Sequence, residues 1–269
     1  MTTHHLTFRG NTIEYLAAGT GPALMLLHGA GASAAANWSA TIDLLAPTHR
    51  VLAVNLPGAG HTTWSAAEVT FTDLTDLVLA LADAEGLATF GLVGYSTGAM
   101  LALQVAGTTP GRVSRLVAIA PWLTNDARTT YFFRFWGDLL QTDAQLFARY
   151  NTLTALSQTA HTYMNEEAFA GTTAAFANTG FNADLPKLLR MNEHVSVEPA
   201  LGRITAATQV VAFADDRICP PHYARTVTER IAGAALVEIP AGHGGPWEAP
   251  EAMNAAITQF LALSGANRS

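Results

Sequence analysis

The chain has 269 residues, 49% of them hydrophobic and 13% charged, with a formal net charge of −7. That length and apolar content suit one large domain, or one domain carrying an inserted subdomain. The acidic balance, with Lys187 as the single lysine, argues against a nucleic-acid surface or a polybasic membrane patch.

Mean hydropathy is +0.21. Charges or Gly and Pro nevertheless interrupt every apolar run short of the ~18 residues that a membrane helix needs. The first residues, Met1 to Arg9, hold no apolar signal core. Cys219 is the only cysteine, so no intrachain disulfide can form. Both features predict a cytoplasmic protein. No Cys/His cluster has metal-ligand spacing, and the His4-His5 pair reads as solvated terminus. No metal and no cofactor are therefore expected.

In chain order, residues 4–8 and 11–17 alternate loosely around Gly10-Asn11, which predicts a hairpin of two edge strands. Residues 23–27 are uniformly apolar, as in a strand covered on both faces. They lead into the small-residue loop His28-Gly29-Ala30-Gly31-Ala32-Ser33, whose backbone N–H groups can approach a ligand closely. A helix is expected from about Trp38 to Ala46, then a buried strand at residues 51–54. That strand ends in the turn-rich Asn55-Leu56-Pro57-Gly58-Ala59-Gly60-His61. Leu74, Leu77, Val78 and Leu81 share one helical face, so residues 73–85 predict a helix, with Thr72 as N-cap and Gly86 just past the end.

Phe90–Val93 predicts the next strand, and Thr97–Gly107 the helix after it. Between them, Gly94-Tyr95-Ser96-Thr97-Gly98 fits the nucleophile-elbow pattern, a serine on a strained strand-to-helix turn. The competing interpretation of Ser96 is an ordinary N-cap. Residues 113–120 predict a further strand, closed by Pro121. Strand and helix signals thus alternate from residue 23 to 120, which predicts parallel strands with helical crossovers, an α/β fold. The three loops after residues 27, 54 and 93 should share one rim, where sites form in such sheets.

Residues 122–205 hold helical and aromatic segments and no convincing buried strand. They read as an inserted helical cap on a core made of residues 1–121 and 206–269. The cap aromatics are either packing or the wall of an apolar pocket. Candidates for that pocket are His28, Gly29, Tyr95, Trp122, Phe132, Phe133, Trp136 and Trp247. The alternation resumes with a strand at residues 209–213, a helix at 222–231, a strand at 235–239 and a last helix from about Pro250 to Leu263.

A serine hydroxyl needs a base, and the base needs an acid to fix its tautomer. Ser96 is followed by the post-strand pair Asp215-Asp216 and by post-strand His243, in the chain order Ser, Asp, His. Asp215 and Asp126 are rival acids and His194 a rival base. Cys219 reads as packing.

Together these residues resemble the capped branch of the α/β-hydrolase superfamily, over essentially the whole chain. The resemblance rests on Leu27-His28-Gly29, on Asn55-Leu56-Pro57-Gly58-Ala59-Gly60 with Asn where the family has Asp, on Asp216-Arg217-Ile218-Cys219-Pro220, and on Gly242-His243. It implies a mostly parallel sheet flanked by helices and a Ser96–His243–Asp216 triad. It also implies an oxyanion hole from the N–H groups of Thr97 and Ala30, with His28 bracing that loop. Serine at the nucleophile position argues against the branches that use Asp there. The subfamily look is that of small-ester hydrolases, enol-lactonases and C–C hydrolases. The expected reaction is hydrolysis of a small to medium, largely apolar ester or lactone. A C–C hydrolase reading would recruit Arg128, Arg134 or Arg190. A non-hydrolytic cyclase or binding protein is the third reading. The expected partner is a small-molecule substrate, with no nucleic acid or membrane partner, for a monomer or homodimer.

Overall fold

Strands β1 (Thr2–Phe8) and β2 (Asn11–Ala18) form the expected hairpin. The structure, a computed structural model, describes residues 1–262. Of these two strands only β1 is an edge: β2 also pairs antiparallel with β4 (Arg50–Val54), so the sheet begins with two antiparallel ladders. The remaining strands are β3 (Ala23–Leu27), β5 (Phe90–Tyr95), β6 (Val113–Ile119), β7 (Ala207–Phe213) and β8 (Ala235–Ile239). Among the described residues they form one sheet in the order β1-β2-β4-β3-β5-β6-β7-β8, parallel from β4 onward. β3 through β7 are buried over most of their length, as their predominantly apolar composition requires.

The parallel register lines up the strand ends. Leu27 pairs with Gly94, Tyr95 with Ile119, Ile119 with Val211, and Phe213 with Ile239. The loops beginning at His28, Ser96, Ala214 and Pro240 therefore leave one rim.

Helix starts differ from the expected ones for local reasons. Helix α1 (Ala34–Leu45) begins four residues earlier than the periodic signal, because the Ser33 hydroxyl accepts the Ala36 N–H as an N-cap. Helix α2 (Phe71–Ala84) is capped by Thr70, not Thr72, in a reciprocal box with Asp73. Helix α3 (Thr97–Thr108) follows Ser96 directly.

Between β6 and β7 the chain is helical: α4 (Ala127–Thr142), α5 (Ala144–Ala155), α6 (Gln158–Tyr163), α7 (Glu166–Ala177), α8 (Leu185–Asn192) and α9 (Glu198–Leu201). Rings of Trp122, Phe133, Trp136 and Phe147 run through this segment with centroids 5.1–6.3 Å apart. The chain ends in α10 (Pro221–Arg230), the short α11 (Gly245–Glu248), which the sequence reading missed, and α12 (Pro250–Ala262). Leu263, the expected end of the last helix, lies outside the described residues. Among the described residues, no helix is long and apolar enough to cross a membrane.

Candidate active site

Ser96 has φ +55° and ψ −119°, a region costly for a residue with a Cβ. The flanking glycines make this turn possible by close approach. A Cβ on Gly94 would lie 2.2 Å from the Gly98 carbonyl oxygen, and one on Gly98 would lie 2.1 Å from that of Leu27. The turn is thus pressed against the end of β3, and the serine hydroxyl points off the rim. Ser96 makes no side-chain cap bond to α3, which removes the N-cap interpretation.

His243 Nε2 lies 3.1 Å from Ser96 Oγ, and His243 Nδ1 lies 2.7 Å from Asp216 Oδ2. A carboxylate only accepts, so Nδ1 carries the hydrogen and Nε2 is left to accept the serine O–H. All three groups are buried. The second Asp216 oxygen accepts the N–H groups of Ile218 and Cys219 at 2.9 and 2.7 Å, which fixes the carboxylate without a charged partner. The rivals are placed elsewhere. Asp215 accepts the Gln158 N–H and faces Arg217. Asp126 caps α4 and accepts the Tyr223 hydroxyl. His194 lines a separate groove with Glu68 and Lys187. Cys219 lies beside Ser96, and burial, followed by the Asp216 charge, pushes its thiol well above the usual range, so it is a neutral neighbour.

Tyr95 orients the histidine loop. Its hydroxyl donates to the His243 carbonyl at 2.6 Å, and the two rings lie 5.2 Å apart. Burial, then the nearby Asp216 charge, raises its pKa well above 10, so it remains a donor.

The loop after β3 is held by its neighbours. The Gly29 N–H donates to Asn37 Oδ1 at 2.9 Å, and a Cβ on Gly29 would sit 3.2 Å from Ser96 Cβ. His28 Nδ1 donates to the Gly29 carbonyl, and Nε2 accepts the Leu56 N–H at 2.9 Å. Burial lowers its pKa to about 4, so it is a neutral brace between two loops. The backbone N–H groups of Thr97 and Ala30 donate to no acceptor among the described residues. Ala30 and Ser96 line the same space. Asn55 does not close its own turn. Its oxygen accepts the Ala34 N–H at 2.7 Å, and its NH2 donates to the buried Glu14 carboxylate.

The space above Ser96 measures about 30 Å³, room for about one or two waters. Of the residues that the sequence singled out for a pocket, Tyr95, Trp136 and Trp247 line this space, together with Asn151, Phe176 and Ile218, which sequence reasoning missed. His28, Gly29, Trp122, Phe132 and Phe133 do not line it. Trp122 and Phe133 are packing, with exposures of 0% and 2%. Phe132 packs among Phe133, Trp136 and Tyr150 in edge-on and tilted contacts. Gly29 faces the Tyr95 ring. Arg128 donates to the carbonyls of Arg217 and Ile218, Arg134 pairs with Glu193, and Arg190 lines the groove beside His194. None of the three arginines reaches this space.

The inserted helices are stapled to the rim. The Glu248 carboxylate accepts the Ser157 N–H and hydroxyl and the Gly242 N–H, while the Gly244 N–H donates to the Ala155 carbonyl at 2.6 Å.

The family model for the alpha/beta hydrolase fold matches residues 22–250. A pyrrolizixenacetamide deacetylase of Xenorhabdus hominickii is 27% identical over 250 residues, covering 93% of this chain and 94% of that protein. A pimeloyl acyl-carrier-protein methyl ester esterase of Vibrio campbellii is 42% identical over 102 residues, 38% of each chain. The solved enol-lactonase of Burkholderia xenovorans LB400 superposes with a TM-score of 0.85 at 19% identity, covering 96% of this chain and all (100%) of that one, a likeness of fold.

Proposed function

The chain belongs to the alpha/beta hydrolase family, and on that premise we propose that it is a serine hydrolase of a small to medium, largely apolar ester or lactone. The observation that carries this reading is the continuous hydrogen-bonded line Ser96–His243–Asp216 at the rim. In this reading His243 takes the Ser96 proton as the serine oxygen attacks the carbonyl. Thr97 and Ala30 N–H groups hold the oxyanion, each such donor being worth about 3–4 kcal/mol of barrier. His243 then protonates the leaving oxygen, and the acyl-serine forms. Water attacks that ester with His243 again as base, and Ser96 recovers its proton.

Residues 122–205 act as the cap over a core of residues 1–121 and 206–269. A space of about 30 Å³ does not admit an ester, so the cap opens for substrate and closes to exclude water. The apolar preference is supported by Trp136, Phe176, Ile218 and Trp247 around Ser96 and by the absence of Lys or Arg from this lining among the described residues. The names of the relatives, a deacetylase and a methyl ester esterase, support acyl-bond hydrolysis. Steady-state hydrolysis of p-nitrophenyl butanoate tests the reading. Wild type should turn over, and Ser96→Ala should lose at least about 10³-fold in kcat. Equal rates would overturn it.

A further inference from the structure

Asn151 sits on α5 inside the inserted segment, 7% exposed, and lines the same space as Ser96 and His243. Its Oδ1 accepts the Trp136 Nε1–H at 2.6 Å. An indole nitrogen can only donate, so this bond fixes which way round the amide lies. The Asn151 NH2 group is thereby the free end, and among the described residues no protein acceptor meets it. That NH2 group is open to the space above Ser96 rather than sealed in the core, so it is a donor that a ligand in this space can meet.

We infer that Asn151 is a specificity-determining residue whose NH2 group binds a second, neutral acceptor oxygen of the substrate, an oxo or ether oxygen a few atoms from the scissile carbonyl. This inference rests on the serine-hydrolase reading above. The acceptor is neutral because no lysine or arginine among the described residues lines the space to balance a carboxylate. It is near the reacting carbon because Asn151 lines the same space as Ser96 and His243. The rest of the substrate is apolar, matching Trp136, Ala155, Phe176, Ile218 and Trp247.

The test compares ester pairs that differ by one acceptor oxygen. On the acyl side these are p-nitrophenyl pentanoate against its 3-oxo and 4-oxo counterparts. On the alcohol side they are butyl acetate against 2-methoxyethyl acetate. Wild type should prefer the acceptor-bearing ester of at least one pair by about tenfold or more in kcat/KM, the scale of a site built to hydrogen-bond one substrate oxygen. Two variants remove the donor without adding a charge, the near-isosteric Asn151→Leu and the smaller Asn151→Ala, each checked for folding by circular dichroism. Each should lower kcat/KM more for the acceptor-bearing ester than for the plain one, bringing the ratio within the pair to about one. No preference in any pair, or a preference that survives both variants, would overturn the inference. Fluorophosphonate labelling of Ser96 separates the two readings. Normal labelling without any acceptor preference sinks this inference alone, whereas no labelling of folded wild type sinks the hydrolase reading beneath it.

Discussion

The Asn55 side chain donates its NH2 to the Glu14 carboxylate while its oxygen takes the Ala34 N–H at the start of α1. Both residues are buried, 3% and 7% exposed. The resemblance to the family's turn breaks at this residue, and the contact explains why: an aspartate here would face a second carboxylate. Asn55→Asp should therefore destabilise the fold by roughly 2–4 kcal/mol at pH 8, the range for an uncompensated buried charge or donor. The pair would share a proton, raising a folded-state pKa above its unfolded value. The loss should thus be largest at high pH and shrink as pH falls toward 5. Urea unfolding at pH 8 and pH 5 checks this, and a pH-independent loss would contradict it.

His28 is held neutral, its pKa lowered to about 4 by burial. The unfolded chain protonates near 6.5, so the folded state forgoes a proton between those values. Stability from this group is intact above about 6.5 and is lost as pH falls toward 4, by about 3 kcal/mol in all. His28→Gln keeps an acceptor for Leu56 N–H and does not titrate. Its unfolding free energy should fall less steeply between pH 7 and 4.5 than that of wild type. Parallel curves would remove His28 from the acid response.

Tyr95→Phe removes the hydroxyl that holds the His243 carbonyl. Leaving that buried carbonyl unpaired should cost about 1–3 kcal/mol of stability. The histidine should then wander from Ser96, lowering kcat about ten- to a hundredfold with little change in KM, since positioning rather than binding is lost. A variant that loses stability with kcat intact would reduce Tyr95 to a structural role.

Glu248 joins the inserted helices to the His243 loop through Ser157 and Gly242. Glu248→Ala should weaken both partners together. Amide hydrogen exchange should speed up in residues 155–163 and 242–247 as one unit, with a stability loss of about 2 kcal/mol. Faster exchange in only one of these segments would show that they are not coupled.

The strands and the Ser96 turn were legible because their demands are local. Uninterrupted apolar runs make buried strands, and Gly94 and Gly98 are spaced for a turn that no Cβ would fit. The choice between Asp215 and Asp216 leaned on a family spacing. In the structure Asp216 is the one that reaches His243, while the Gln158 N–H of α6 occupies Asp215. The pocket wall was the least legible part. Phe132, Phe133 and Trp136 fall within one turn of α4, yet only Trp136 reaches the cavity, since Trp122 and the neighbouring rings claim the other two. Asn151 carried no signal in sequence: a lone polar residue on a helix face gains meaning only from the indole opposite it.

The most direct test of the account is intact-mass spectrometry after exposure to a serine-directed fluorophosphonate. Ser96 Oγ within hydrogen-bond reach of His243 Nε2 predicts one adduct per wild-type chain and none on Ser96→Ala. An adduct that persists on Ser96→Ala, or a folded wild type that takes none, would contradict it.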